Sequence, residues 1–160
     1  MKAPQFDLPG VDGKRYSPIT ARGDRGLLVM FICNYCPYVK RSIDRIVRDC
    51  KELAPLGIGS IAVMSNDPAD YPEDSFENMK RVAREKGFPF PYVIDETQDV
   101  ARAYDAVCTP EFFGFDAGLE LQYHGRVDEL FEAMKQIADT GKGPKPQVAS
   151  VGCSIKWKKA

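Results

Sequence analysis

Between Gly26 and Ile32 the chain is apolar without interruption (GLLVMFI). A run of this length with no alternation predicts a strand buried on both faces. The period then changes. Apolar residues recur at Val39, Ile43, Ile46, Val47, Cys50, Leu53 and Ala54, with Lys40, Arg41, Asp44, Arg45 and Arg48 between them. That spacing predicts an amphipathic helix. Gly57–Ser65 (GIGSIAVMS) predicts a second buried strand, ended by Asn66-Asp67-Pro68, which reads as a plain turn. If the two strands are parallel, that turn shares a sheet edge with the loop after Ile32.

Further along, Ser75–Lys86 predicts a helix with Phe76, Met79, Val82 and Ala83 inward and Gly87 as its stop. Tyr92–Asp95 predicts a short strand and Thr97–Tyr104 a short helix. Phe112–Phe115 and Leu119–His124 predict two strands around the turn Asp116-Ala117-Gly118. Asp128 is the expected cap of a last helix that ends before Gly141. Before all of these, Pro9-Gly10 and Asp12-Gly13 predict a short hairpin. The stretch Lys142–Gln147 is expected to be extended or mobile, and residues 151–157 are β-like. Strands alternating with helices, then a hairpin and a helix, give an α/β fold with a mixed sheet covered on both faces. The expected organisation is one domain over residues 1–141 and a C-terminal extension over 142–160, packed on or tethered to it.

Composition narrows the function classes. With 160 residues, 44% of them hydrophobic, and a net charge of −1, the chain has ample core but no basic field for nucleic acid. No apolar run approaches the roughly 20 residues that span a bilayer. Met1-Lys2 is followed at once by Pro4, Asp7 and Pro9, so no signal peptide is expected and the cytoplasm is the expected location. Five cysteines, an odd number, argue against a disulfide scaffold and for a catalytic or sensing subset.

Two of them, in Cys33-Asn34-Tyr35-Cys36-Pro37, sit where the buried strand hands over to the helix. Pro37 decides which one caps that helix. Proline is tolerated at the first helical position, where the N–H has no partner anyway. It also pushes the preceding residue to extended dihedrals, which a cap requires. Cys36 is therefore the expected N-cap, one short turn after Cys33. A free thiol near pKa 8.5 is only roughly 3% thiolate at pH 7. The positive end of a helix favours the thiolate by about 1–2 kcal/mol. Backbone N–H groups at the sulfur, with Lys40 as a further candidate, would add to this. Cys36 is thus the candidate redox-active thiol.

The order of elements, with CxxC after the central strand and Thr109-Pro110 before the hairpin, resembles the thioredoxin fold. The match is closer to one group. Cys-Asn-Tyr-Cys-Pro-Tyr-Val-Lys, Tyr71-Pro72-Glu73-Asp74, Asp95-Glu96-Thr97-Gln98, Tyr123-His124-Gly125-Arg126 and the terminal Gly-Cys-Ser-Ile-Lys-Trp are similar to bacterial thioredoxin-like redoxins of the alkyl hydroperoxide reductase/thiol-specific antioxidant superfamily. The resemblance implies a three-layer α/β/α sandwich with a mixed central sheet, and a cis Pro110 facing the active-site cysteine. It also implies that Thr109 and Pro110 offer backbone groups to an incoming disulfide partner. Relative to thioredoxin the cysteine pair is offset by three residues, so that Cys36 and Lys40 match its nucleophile and trailing lysine. Met30 stands where thioredoxin has a buried aspartate, and Glu96 is the candidate substitute for proton transfer. Peroxiredoxins also place proline after the attacking cysteine, but Cys33 replaces their threonine.

These readings give a thiol–disulfide oxidoreductase with Cys36 as nucleophile and Cys33 as its resolving partner, acting on protein or small-molecule disulfides with an unidentified reductant and no cofactor or metal. The alternative is a thiol peroxidase acting on hydroperoxides, for which Arg126 is the candidate peroxide-binding arginine. A non-enzymatic redox sensor or metal-delivery module is the third reading. Cys108 and Cys153 are further candidates for resolving Cys36. Cys153 reads either as a thiol on a mobile tail that folds back, or as an inert member of a packed strand with Ile155 and Trp157. Cys50 lies on the apolar stripe and reads as core. His124, the only histidine, reads as a surface or packing residue.

Overall fold

The computed structural model describes residues 1–159. A small hairpin opens the chain: β1 (Leu8–Pro9) pairs antiparallel with β2 (Arg15–Tyr16). A single-turn α1 (Pro18–Ala21) follows, capped by Ser17. The central strand β3 (Gly26–Phe31) leads into α2 (Pro37–Leu53), then β4 (Ile58–Met64), α3 (Phe76–Lys86) and β5 (Tyr92–Ile94). After these come α4 (Asp99–Ala103), β6 (Cys108–Thr109), β7 (Glu111–Asp116), β8 (Leu121–Gly125), α5 (Leu130–Thr140) and β9 (Cys153–Ser154).

The main sheet has the order β5-β4-β3-β7-β8. β3, β4 and β5 are parallel, while β7 and β8 run antiparallel to their neighbours. β3 therefore lies in the middle, as its unbroken apolar run requires. Its side chains alternate between two cores. Leu28 and Met30 pack with Val39, Ile43, Ile46 and Leu53 of α2 and Met134 and Ile137 of α5. Leu27, Val29 and Phe31 pack on the other face with Phe6, Val100, Ala101, Tyr104 and Ile155. The result is three layers, α/β/α, around a mixed sheet.

The structure departs from expectation at several points, among them the last hairpin strand, which runs over Leu121–Gly125 rather than Leu119–His124. Asp128 does not cap the last helix: it lies inside a 3-10 turn over Val127–Glu129, and α5 starts at Leu130 with Glu129 at the cap position. The short helix begins at Asp99 rather than Thr97, because Gln98 takes a left-handed conformation, φ 68°. The buried Asp95 supplies the cap from a distance, accepting the N–H groups of Val100 (3.2 Å) and Ala101 (2.9 Å). Asn66 is not part of a plain turn; it is buried and holds the candidate site together.

The C-terminal stretch is packed. Gln147 ties it to β8 through the N–H of His124 (2.9 Å). β9 pairs antiparallel with β6, Ile155 is only 3% exposed, and the Lys156 N–H donates to Asn66 (2.9 Å). This strap closes over the sheet edge that carries the cysteines.

Candidate functional site

β3 ends at Phe31, and the loop delivers Cys36 to the N-cap of α2 with extended dihedrals (φ −62°, ψ 131°) and Pro37 as the first helical residue. The Lys40 N–H donates to the Cys36 carbonyl (2.8 Å), closing the first turn. Cys36 makes no side-chain cap hydrogen bond of ordinary geometry, yet the Val39 N–H favours charge on its sulfur. From the opposite side, the Thr109–Pro110 peptide, which is cis, faces the pair. The Thr109 carbonyl lies 3.5 Å from Cys36 Sγ, and its hydroxyl lies 3.5 Å from Cys33 Sγ.

The two thiols are shifted in opposite directions. Cys36 is held well below the ordinary thiol range, chiefly by the hydrogen bond from the Cys33 thiol. Burial opposes this; the Cys153 thiol, the Val39 N–H and the Thr109 hydroxyl support it. Cys33 is pushed far up, first by keeping its proton in that same bond, then by burial and the Asp74 carboxylate. A thiolate at Cys36 and a thiol at Cys33 is the resting state this geometry stabilises.

Asp74 pins the loop. Its carboxylate, only 4% exposed, accepts the Asn34 N–H (2.8 Å) and the Asn66 amide (2.9 Å). Burial pushes its own pKa up. Asn34 also donates to the Glu73 carbonyl (3.0 Å) and accepts the Tyr92 hydroxyl (2.8 Å). A cavity of about 220 Å³ opens beside these groups, lined by Cys33, Cys36, Cys153, Tyr35, Asp74 and Lys156 among others.

The remaining candidates are dispersed. Cys153 reaches the cavity on the strap and faces Cys36. It is thus part of a packed strand and next to Cys36 at once. Cys108 is one residue from Thr109 and so points to the other face of its strand. There it meets Glu111 Oε1 (3.8 Å) and the Pro110 carbonyl (4.0 Å), and burial, then Glu111, pushes its thiol up to about 12. Glu96 is exposed and does not line the cavity; the carboxylate beside the cysteines is Asp74. Lys40 lies over the Tyr35 ring, 5.0 Å from its centroid, and the lysine in the Cys36 cavity is Lys156. Arg126 is held by Glu129 (2.7 Å) and lies outside that cavity. His124 stacks on Phe113 at 4.3 Å and bonds the buried Glu111. Cys50 is buried on α2, and burial pushes its thiol up to about 12. Among the described residues, no group of three or more His, Cys, Asp or Glu is arranged to hold a metal ion, and no helix is long and apolar enough to cross a membrane.

Asp74, Asn34, Asn66, Tyr92 and Lys156 are the site residues that sequence reasoning missed. Asn66 was signalled only by its polar turn at the sheet edge shared with the cysteine loop, while Asn34, Asp74 and Lys156 lie within the stretches that carry the family resemblance.

Comparison with known proteins agrees with this architecture. The family model described as the AhpC/TSA family matches residues 1–124. A crystal structure of an uncharacterized conserved protein from Geobacillus kaustophilus is 42% identical, with a TM-score of 0.95 over 100% of this chain and 92% of that one. A hypothetical protein from Sinorhizobium meliloti 1021 is 31% identical, with a TM-score of 0.96 over 100% of this chain and 94% of that one. A thiol:disulfide interchange protein of the thioredoxin family from Chlorobium tepidum TLS shares the fold: 21% identity, TM-score 0.72, covering 86% of this chain and 96% of that one. No curated protein matches the chain. The fold is thioredoxin-like.

Proposed function

This chain belongs to the AhpC/TSA family, and we propose that it catalyses thiol–disulfide exchange with Cys36 as nucleophile and Cys33 as resolving thiol. The observation that carries this reading is the placement of the pair: Cys36 sits at the N-cap of a 17-residue helix, and it and Cys33 both lie 3.5 Å from Thr109 at the cis Thr109–Pro110 peptide. Cys36 attacks one sulfur of a substrate disulfide and forms a mixed disulfide, expelling the other half as a thiolate. Cys33 then loses its proton and attacks Cys36 Sγ, which releases the reduced substrate and leaves a Cys33–Cys36 bond. An external thiol reductant reverses the cycle. Because the reduced form is stabilised by the low-pKa thiolate, the couple is more oxidising than an unperturbed dithiol.

Peroxide reduction is the competing reading, favoured by the family and by proline after Cys36. Among the described residues no arginine lines the Cys36 cavity, and Arg126, paired with Glu129, lines a separate cavity. The test is to supply the reduced protein separately with a small disulfide and with one equivalent of hydrogen peroxide, following the thiols that remain on the protein by alkylation and intact mass. Rapid loss of two thiols with the disulfide and slow loss with peroxide is the expected outcome. Rapid stoichiometric consumption of peroxide with no disulfide turnover would overturn it.

A further inference from the structure

We propose that Cys153 is a second resolving thiol of this site, carried there by the C-terminal strap and competing with Cys33 for a disulfide formed on Cys36. The inference rests on the exchange reading above and deepens it.

The geometry comes from the strap. In the β6–β9 register Cys153 stands directly opposite Thr109. Opposed residues of an antiparallel pair project to the same face. On that face the Thr109 hydroxyl touches Cys33, and Cys33, Cys36 and Cys153 line one cavity. The placement is built in. Gly152 runs so close to the active-site peptide that a Cβ there would sit 2.1 Å from the Thr109 carbonyl oxygen and 3.2 Å from the Pro110 nitrogen. On the far side, the Ile155 N–H donates to the Val107 carbonyl (3.0 Å), and the Lys156 carbonyl accepts from the Asp67 N–H (2.8 Å) and the Gln98 amide (2.9 Å).

The electrostatics favour a change of roles once Cys36 has reacted. In the resting site Cys153 keeps its proton, held up by burial and then by the hydrogen bond to Cys36 and its charge. When Cys36 enters a disulfide, that charge disappears. Burial still opposes ionisation of Cys153, but Lys156 and the Tyr38 N–H favour its thiolate. Cys33 is left with burial and Asp74 against its thiolate, and only the Thr109 hydroxyl in favour.

The step balances. Cys36 thiolate attacks RS–SR′, the Cys36–SR bond forms, and R′S⁻ departs and takes a proton. Cys153 releases its proton to solvent and attacks Cys36 Sγ. The Cys36–Cys153 bond forms, the Cys36–SR bond breaks, and RS⁻ is protonated. Two electrons pass from the protein dithiol to the substrate, which ends as two thiols.

The experiment uses the full chain as Cys33→Ser and as Cys33→Ser/Cys153→Ser. Each is reduced, treated with one equivalent of hydroxyethyl disulfide, acid-quenched, alkylated and mapped by peptide mass. The single variant is expected to end as an adduct-free Cys36–Cys153 disulfide, while the double variant accumulates the Cys36 adduct. Equal retention of the adduct in both would overturn the proposal. Absence of both adduct and disulfide at Cys36 in every variant would instead overturn the exchange reading beneath it. A second variant leaves all cysteines in place: Gly152→Ala in the otherwise native chain is expected to lower the ratio of Cys36–Cys153 to Cys33–Cys36 bonds several-fold. An unchanged ratio contradicts the strap's role.

Discussion

The carbonyl oxygen of Thr109 lies 3.5 Å from the Sγ of Cys36. A thiol can donate to that oxygen, whereas a thiolate faces it without gain; the hydroxyl of the same residue favours the thiolate. Thr109→Val keeps the shape and removes the hydroxyl. The midpoint of Cys36 alkylation against pH is expected to rise by about half to one unit, slowing the acidic limb roughly 3- to 10-fold. A bimane alkylation profile reads this directly. An unmoved midpoint would mean that the hydroxyl does not act on Cys36.

Cys36 also links stability to pH. Its folded pKa is depressed, so between that value and the unfolded value near about 8.5 the unfolded chain holds a proton the native state lacks. Stability from this group therefore rises with pH through that window. It is complete above the unfolded pKa and lost as pH falls through the folded one. The difference in unfolding free energy between the reduced native protein and Cys36→Ser is expected to grow with pH, by no more than about 1.4 kcal/mol per unit and less where solvent screens the sulfur. Urea denaturation from acid to mildly basic pH measures it, and a pH-independent difference would contradict the depressed value.

Asp74 holds two donors that have no other partner in view, the Asn34 N–H and the Asn66 amide. Asn66 cannot simply turn around, because its carbonyl accepts the Lys156 N–H. Asp74→Asn sets one amide against another and is expected to cost about 1–3 kcal/mol in urea denaturation. The same substitution removes a carboxylate that raises Cys33, so the Cys33 thiol is expected to titrate lower. Unchanged stability would show that the loop is held by other contacts.

Ile155 joins the core that Phe31, Val63 and Tyr104 form on the second face of the sheet. Truncation of a buried isoleucine costs about 2–5 kcal/mol. Ile155→Ala is expected to fall in that range by urea denaturation and to raise hydrogen exchange across residues 150–158. A loss below about 0.5 kcal/mol, the size of a typical surface substitution, would place the strap outside the cooperative unit.

Local rules in the sequence reached one half of the site. Pro37 alone was enough to assign the N-cap to Cys36, because proline at the first helical position and extended dihedrals before it are nearest-neighbour constraints. The unbroken run Gly26–Ile32 likewise implied the central strand. What failed was long-range. Asp95 caps the helix after Gln98 through its carboxylate, so the boundary does not follow from Thr97. Asp74 reaches Asn34 across 40 positions of sequence, and nothing near Tyr71-Pro72-Glu73-Asp74 announces its partner. For Cys153 the sequence posed a choice between a packed strand and a resolving thiol. The pairing with β6 puts Cys153 in a packed strand that also lines the Cys36 cavity, while strand alternation turns Cys108 away.

Whether Cys36 is the thiol that reacts is read by peptide mass mapping of the native protein after mild oxidation by a small disulfide, with remaining thiols blocked. The expected disulfides all include Cys36, joined to Cys33 or Cys153, with Cys50 and Cys108 recovered as blocked thiols. Oxidised protein with no bond to Cys36 would contradict that assignment.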